Sequence, residues 1–105
     1  MHRDIKPLNF RVHKGKVFIT DFGLATEYEK DGVHVPMAKN QPLLGSMRYV
    51  SHWTHEGMDL SRRDDIEMLG YSIMKMLQDN PKDELWTVPH CEGMSISELN
   101  VMFYQ

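Results

Sequence analysis

The run from Ser61 to Leu77, SRRDDIEMLGYSIMKML, limits the possible folds more than any other stretch of the chain. Ser61 and Asp64 stand where a capping serine and the acidic residue of its first turn belong, and Ile66, Leu69, Ile73, Met76 and Leu77 then recur at helical spacing. A helix over about residues 62–77 is the expectation. Met68, Tyr71 and Met74 fill its other sides, leaving it apolar nearly all round. Such a helix belongs inside a larger body. A chain of 105 residues supplies little to surround it, since it hides only roughly 60 to 70 % of its unfolded surface on folding.

Upstream, Phe10 to Thr20 reads FRVHKGKVFIT, which is two β-rich runs around His13-Lys14-Gly15-Lys16. Gly15 supplies the positive φ that a tight turn needs, so this stretch is expected to be a hairpin. Residues 24–46 scatter Gly, Pro, Asp, Asn and Lys without a sustained period and read as one long irregular segment. Loops of that length are usually functional or disordered. Beyond the central helix, Asn80-Pro81 breaks the chain and residues 78–89 read as loop; Ser95 and Glu98 then cap a final helix carrying Ile96, Leu99, Met102 and Phe103.

Hairpin geometry gathers the polar residues at its feet. If Val12 pairs with Val17, Asn9 faces Thr20 and Leu8 faces Asp21, so Asn9 and Asp21 become diagonal neighbours about 7 Å apart. An amide oxygen and a carboxylate on one edge are hard ligands suited to Mg²⁺, which takes one or two carboxylates together with phosphate oxygens and water. Asp4 and Lys6 lie just upstream.

His2-Arg3-Asp4 followed by Asn9 fits H-R-D-x-x-x-x-N, and Asp21-Phe22-Gly23 fits D-F-G after a strand. In these residues the chain resembles the protein kinase superfamily. Leu44-Gly45-Ser46-Met47-Arg48-Tyr49-Val50-Ser51, Thr54-His55-Glu56-Gly57 and Ser61-Arg62-Arg63-Asp64-Asp65-Ile66-Glu67-Met68-Leu69-Gly70-Tyr71 are similar to segments of its casein kinase I group. The resemblance runs from His2 to about Leu77. It departs at Ser51-His52-Trp53, where the group carries S-I-N, and at Asp83-Glu84-Leu85-Trp86, where it carries L-P-W-x-x-L.

The resemblance implies an α+β fold, the mostly helical C-terminal lobe of a protein-kinase-like domain with one small β-hairpin and the N-terminal lobe absent. The whole chain, 1–105, would be a partial kinase domain, with catalytic loop 2–9, metal-binding D-F-G 21–23, activation segment about 21–53 and central helix about 62–77. Asp4 would accept the proton of a substrate hydroxyl, and Lys6 would place a positive charge beside the transferred phosphate. Asn9 and Asp21 would hold Mg²⁺ for ATP, with Phe22 and Gly23 completing the cofactor site. Ser46, standing where the group has threonine, would hydrogen-bond Asp4 and Lys6. Asp65 would enter the central helix and hold the backbone around His2 and Arg3. Arg48, beside Tyr49 in the activation segment, would line an anion site favouring acidic or already phosphorylated substrates.

The implied activity is ATP-dependent phosphoryl transfer to Ser or Thr of a protein substrate. The chain contains no G-x-G-x-x-G and no V-A-I-K-like strand, the parts that cover the phosphates and supply their lysine. These 105 residues alone are therefore expected to be inactive or nearly so. The alternative is a non-catalytic kinase-lobe module that binds partners through the activation segment and Arg48; a kinase-like small-molecule phosphotransferase comes third, because Lys6, D-F-G and the Ser46 to Tyr49 segment count against it. A binding module has no need of a complete Asp4, Lys6, Asn9 and Asp21 set.

Composition bears on what remains. At 41 % hydrophobic, 26 % charged and net charge −3, with no apolar run near a span's length, the sequence suggests neither nucleic-acid nor membrane partners. A lone Cys91 and the missing apolar signal core favour an intracellular setting, cytoplasmic before nuclear. His52 with His55, and His90 beside Cys91, do not make a zinc-spaced set of four. Cys91 lacks a nucleophile's context, and the methionines of the central helix read as core filler.

Overall fold

In a computed structural model the described residues are 1–80; the expected helix after Ser95 lies outside them. The chain opens with an extended stretch and a 3₁₀ turn, Pro7–Asn9, in which proline presets the first φ and the Asn9 N–H reaches Lys6 O at 3.0 Å. Strands β1 (Phe10–His13) and β2 (Lys16–Ile19) follow, antiparallel, with Val12 opposite Val17 and Phe10 opposite Ile19. Lys14 and Gly15 both take positive φ, 48° and 73°, which is the turn whose twist matches that of a two-residue hairpin.

Residues 24–46 are not wholly irregular. Within them β3 (Glu29–Lys30) and β4 (Val33–His34) form a second antiparallel hairpin, turned at Asp31-Gly32 with φ of 52° and 77°. Strands of two residues leave no room for apolar alternation, so only the Asp-Gly dipeptide marks them. The short helix α1 (His52–His55) was also absent from the sequence pattern. Ser51 starts it by accepting the Thr54 N–H at 3.3 Å, and Gly57 (φ 76°) leaves it.

Helix α2 spans Arg62–Met76. Ser61 is its N-cap, and Asp64 Oδ2 reaches back to accept the Ser61 N–H at 2.6 Å and the Ser61 hydroxyl at 2.9 Å. The face it buries, however, is Asp64, Met68 and Ser72 at four-residue intervals, and the Ser72 hydroxyl folds back onto Met68 O at 2.8 Å. Of the apolar stripe read from the sequence, Leu69 packs on the core, while Ile66 and Leu77 are 68 % and 77 % exposed. Among the described residues little covers the apolar sides of α2, as the shortage of surrounding chain implies. Polar bonds position its first turns, and its apolar flank faces outward.

Ile5, Val50, Leu60 and Met68 make the core, with Phe10, Ile19, Leu43, Leu44 and Leu69 packed against it. Long-range hydrogen bonds made by side chains meet at residues 2–6, from Leu24, Ser46 and Asp65.

Candidate active site

The segment 2–9 has little secondary structure to hold it, so its shape depends on side chains from elsewhere. Asp65, in the first turn of α2, accepts the backbone N–H groups of His2 and Arg3 at 2.7 and 2.8 Å. Both are bonds to a charged acceptor, the stronger kind. Arg3 sits at φ 70°, a conformation that non-glycine residues keep only where the surroundings enforce it. Its Nε donates to Leu24 O at 2.6 Å, tying in the segment after the second strand.

His2 works through both ring nitrogens. Nδ1 accepts the Asp4 N–H at 3.2 Å, so the proton resides on Nε2, which donates to Thr20 O at 2.9 Å. The His2 ring meets that of Phe22 edge to face at 5.1 Å. On the other side of Asp4, the Asn9 Nδ2 donates to Asp4 O at 2.8 Å. The backbone of Asp4 is thus held at its N–H by His2 and at its carbonyl by Asn9, and Asp4 is buried.

The Asp4 carboxylate stands in a closed triangle. Oδ1 accepts the Ser46 hydroxyl at 3.0 Å, Oδ2 lies 3.3 Å from Lys6 Nζ, and Lys6 donates to Ser46 Oγ at 2.7 Å. Gly45 lets residue 46 come this close. Its φ is +93°, and a Cβ there would sit 2.9 Å from Arg3 O and 3.3 Å from Val50 Cγ1. After Ser46 the chain turns sharply, with Tyr49 N–H and Val50 N–H both on Ser46 O at 2.8 and 3.1 Å. Arg48 in that turn is exposed.

Asn9 and Asp21 flank the foot of the β1–β2 hairpin. The Thr20 N–H and hydroxyl both bond Asn9 O, at 2.8 and 3.0 Å, which extends the strand pairing to the residue before Asp21. Asp21 is exposed at φ 62°, with Oδ1 accepting the Gly23 N–H at 3.2 Å. Since Asn9 Nδ2 is engaged with Asp4 O, Oδ1 is the end of that amide left to accept or ligate. An amide oxygen and an exposed carboxylate suit a hard divalent cation that keeps water and phosphate in its remaining positions. Next to them Phe22 is 62 % exposed and Leu8 75 %.

A second polar cluster escaped the sequence reading. Asp64 Oδ1 accepts the Ser51 hydroxyl at 2.5 Å, and Ser51 Oγ lies 3.0 Å from Thr54 Oγ1, all of them buried. Consecutive aspartates therefore divide the work, Asp65 holding segment 2–9 and Asp64 holding the start of α1. The signal was the Asp64-Asp65 pair itself, because neighbouring residues of a helix point to different sides and so reach different partners. Glu67 adds a third tie, accepting the His52 N–H at 2.9 Å and the Tyr71 hydroxyl at 2.8 Å. That hydrogen bond, followed by burial, raises the Tyr71 pKa above its ordinary value. Burial, followed by repulsion from His52, holds His55 below the ordinary histidine value.

No helix among the described residues is long and apolar enough to cross a membrane. Compared with models of known protein families, the chain matches none.

Proposed function

We propose that this chain carries the lower half of a serine/threonine protein kinase active site resembling that of the casein kinase I group. The observation that carries the reading is the Ser46 hydroxyl, bonded to both Asp4 and Lys6 across some forty residues of sequence. In this reading Asp4, aimed by His2, Asn9 and Ser46, accepts the proton of a substrate Ser or Thr hydroxyl as that oxygen attacks. Lys6 neutralises charge beside the transferred group. Asn9 Oδ1 and the Asp21 carboxylate hold Mg²⁺, and bound Mg·ATP supplies the phosphoryl group and the cation that offsets its charge. Exposed Arg48 selects acidic or phosphorylated substrates through its planar guanidinium. These residues contain no glycine-rich loop, the part that in this reading covers the phosphates.

The metal assignment is tested by NMR with Mn²⁺ and ADP as paramagnetic probes. Resonances of Asn9 and Asp21 broaden in the parent, and the effect is lost in Asp21→Asn. Transfer is tested by joining the chain behind the upper lobe of a casein-kinase-I-group enzyme and measuring ³²P incorporation into casein. Activity is expected to fall by at least about a thousandfold in Asp4→Asn, since correct proton transfer and orientation together supply that much. Broadening indifferent to Asp21→Asn, or transfer indifferent to Asp4→Asn, sinks the reading.

A further inference from the structure

We propose that Met1, His34 and Met37 bind one copper(I) ion in the cavity between β4 and the start of α2. The inference does not depend on the kinase reading of residues 2–23. The cavity measures about 40 Å³, and its lining includes these three residues with Val35, Pro36 and Asp59. One water fills roughly 10 to 15 Å³ on this measure, so the space suits an ion rather than an organic ligand.

The side chains select the metal by their softness. Carboxylate, carbonyl and water oxygens suit Mg²⁺ and Ca²⁺, whereas thioether sulfur suits Cu(I). Among the described residues no three His, Cys, Asp or Glu side chains gather where they could hold a metal ion, so the cavity lacks the set that zinc takes. What it brings together instead is two thioethers and one imidazole.

His34 is prepared for the task. Its Nδ1 lies 2.8 Å from Val35 O, and a carbonyl oxygen only accepts, so Nδ1 donates and Nε2 is the nitrogen left to ligate. A carbonyl on the far nitrogen is the arrangement that fixes the ring of a metal-bound histidine. The Tyr28 ring packs tilted against it, with centroids 6.1 Å apart. Met1 is held by a two-way pair with Thr26, its backbone nitrogen donating to Thr26 O at 2.7 Å and its carbonyl accepting the Thr26 N–H at 3.0 Å. The Asp59 N–H donates to Ala38 O at 2.9 Å, which draws the residue before α2 alongside Met37.

Charge also favours a cation. Asp59 uses Oδ1 to accept the Leu60 N–H at 2.9 Å, and its carboxylate stands in the cavity wall. Arg63 opposes it, donating to Met37 Sδ at 3.7 Å. That bond is weak, the sulfur keeps a second lone pair, and the guanidinium has the Trp53 ring at 5.3 Å and Asp64 Oδ2 at 3.9 Å to hold it. A bound ion would join β4 to the segment that opens the chain. The β3–β4 hairpin, too short to be stable by itself, would be fastened there.

Silver(I) serves as the probe, because it shares the charge and the preference for sulfur of Cu(I) without its oxidation in air. Ag⁺ is titrated into the 105-residue chain carrying Cys91→Ser, which removes the competing thiol, and followed by NMR of ¹³C-methyl methionine and ¹⁵N histidine. The Met1 and Met37 methyls and His34 Nε2 are expected to shift together and saturate at one Ag⁺ per chain, with the other seven of the nine methionines unmoved. Shifts in any other set overturn the proposal. Affinity for Cu(I), measured anaerobically against a chromophoric chelator, is expected to fall at least about tenfold in Met37→Leu and in His34→Phe, since loss of even an outer partner of a ligand costs about 10- to 100-fold. It is expected to hold in Met76→Leu. Met37 is 54 % exposed and leucine conserves its volume, so that variant keeps the fold. Affinity indifferent to either substitution removes that residue from the site and overturns the assignment, as does displacement of Ag⁺ by excess Zn²⁺.

Discussion

The two halves of α2 are built on different principles. Its first turns present Asp64, Asp65 and Glu67, which between them receive backbone or hydroxyl donors from residues 2, 3, 51, 52 and 61. Its last turns present Ile73, Met74 and Met76, which are between 42 % and 49 % exposed. A helix read by its apolar pattern alone would be expected to find its partners through the second half. In this molecule it finds them through the first. What fixes a helix in place is the set of donors that lose water and need an acceptor, and three loops supply them.

The largest test of that contrast is Asp65→Ala. Each lost charge-assisted bond contributes about 1.5 to 3 kcal/mol, and the freed N–H groups are left partly desolvated, so a loss of about 3 kcal/mol or more is expected. It would be measured by urea unfolding, with the amide resonances of His2 and Arg3 shifting most. Arg3, at φ 70°, should relax toward ordinary backbone once its N–H is released. If Asp65→Ala costs less than truncation of Ile73, the polar half is not the anchor.

Gly45→Ala comes next, at about 1 to 3 kcal/mol. The added Cβ meets a backbone oxygen at 2.9 Å, and the φ of +93° is itself unfavourable for alanine. The nearest partner is backbone and the Val50 side chain beside it is buried, so segment 2–5 or segment 44–50 must move. The Ser46 to Asp4 bond should break in consequence. Unchanged Ser46 and Asp4 resonances alongside a lowered Tm would separate plain strain from loss of the site.

Much of this end of the molecule was legible in the letters. The Val12 and Val17 pairing assumed around the Lys14-Gly15 turn is the register found, and the Ser61 and Asp64 spacing marked where α2 begins. The ties from Ser46 and Asp65 to residues 2–6 came from the family resemblance, because no period or spacing links positions forty or sixty residues apart. The β3–β4 hairpin and α1 were hidden by their length: two or four residues cannot establish a period. The buried face of α2 was misread for a different reason. A hydrophobic pattern counts carbon, whereas Asp64 and Ser72 are fully buried here because each has donors or acceptors in reach.

Two smaller tests probe the outward half. Gly70 is exposed in the interior of α2, and a Cβ there meets nothing within 4 Å. Gly70→Ala should therefore stabilise the chain by about 0.5 to 1 kcal/mol, the cost of glycine in a helix. A loss of stability instead would mean that something lies against that flank in solution.

The smallest expected effect is that of Leu77→Gln. The side chain is 77 % exposed and follows the last turn of α2, so its removal uncovers no buried surface and opens no cavity. Surface changes of this kind stay within about 0.5 kcal/mol. Set beside Asp65→Ala on the same helix, the pair brackets the contrast: a polar residue whose loss unlatches a distant loop, and a large apolar one whose loss the fold hardly registers. A cost above about 2 kcal/mol for Leu77→Gln would place it among buried leucines and reverse that ranking, making the apolar flank the part of α2 that holds the molecule together.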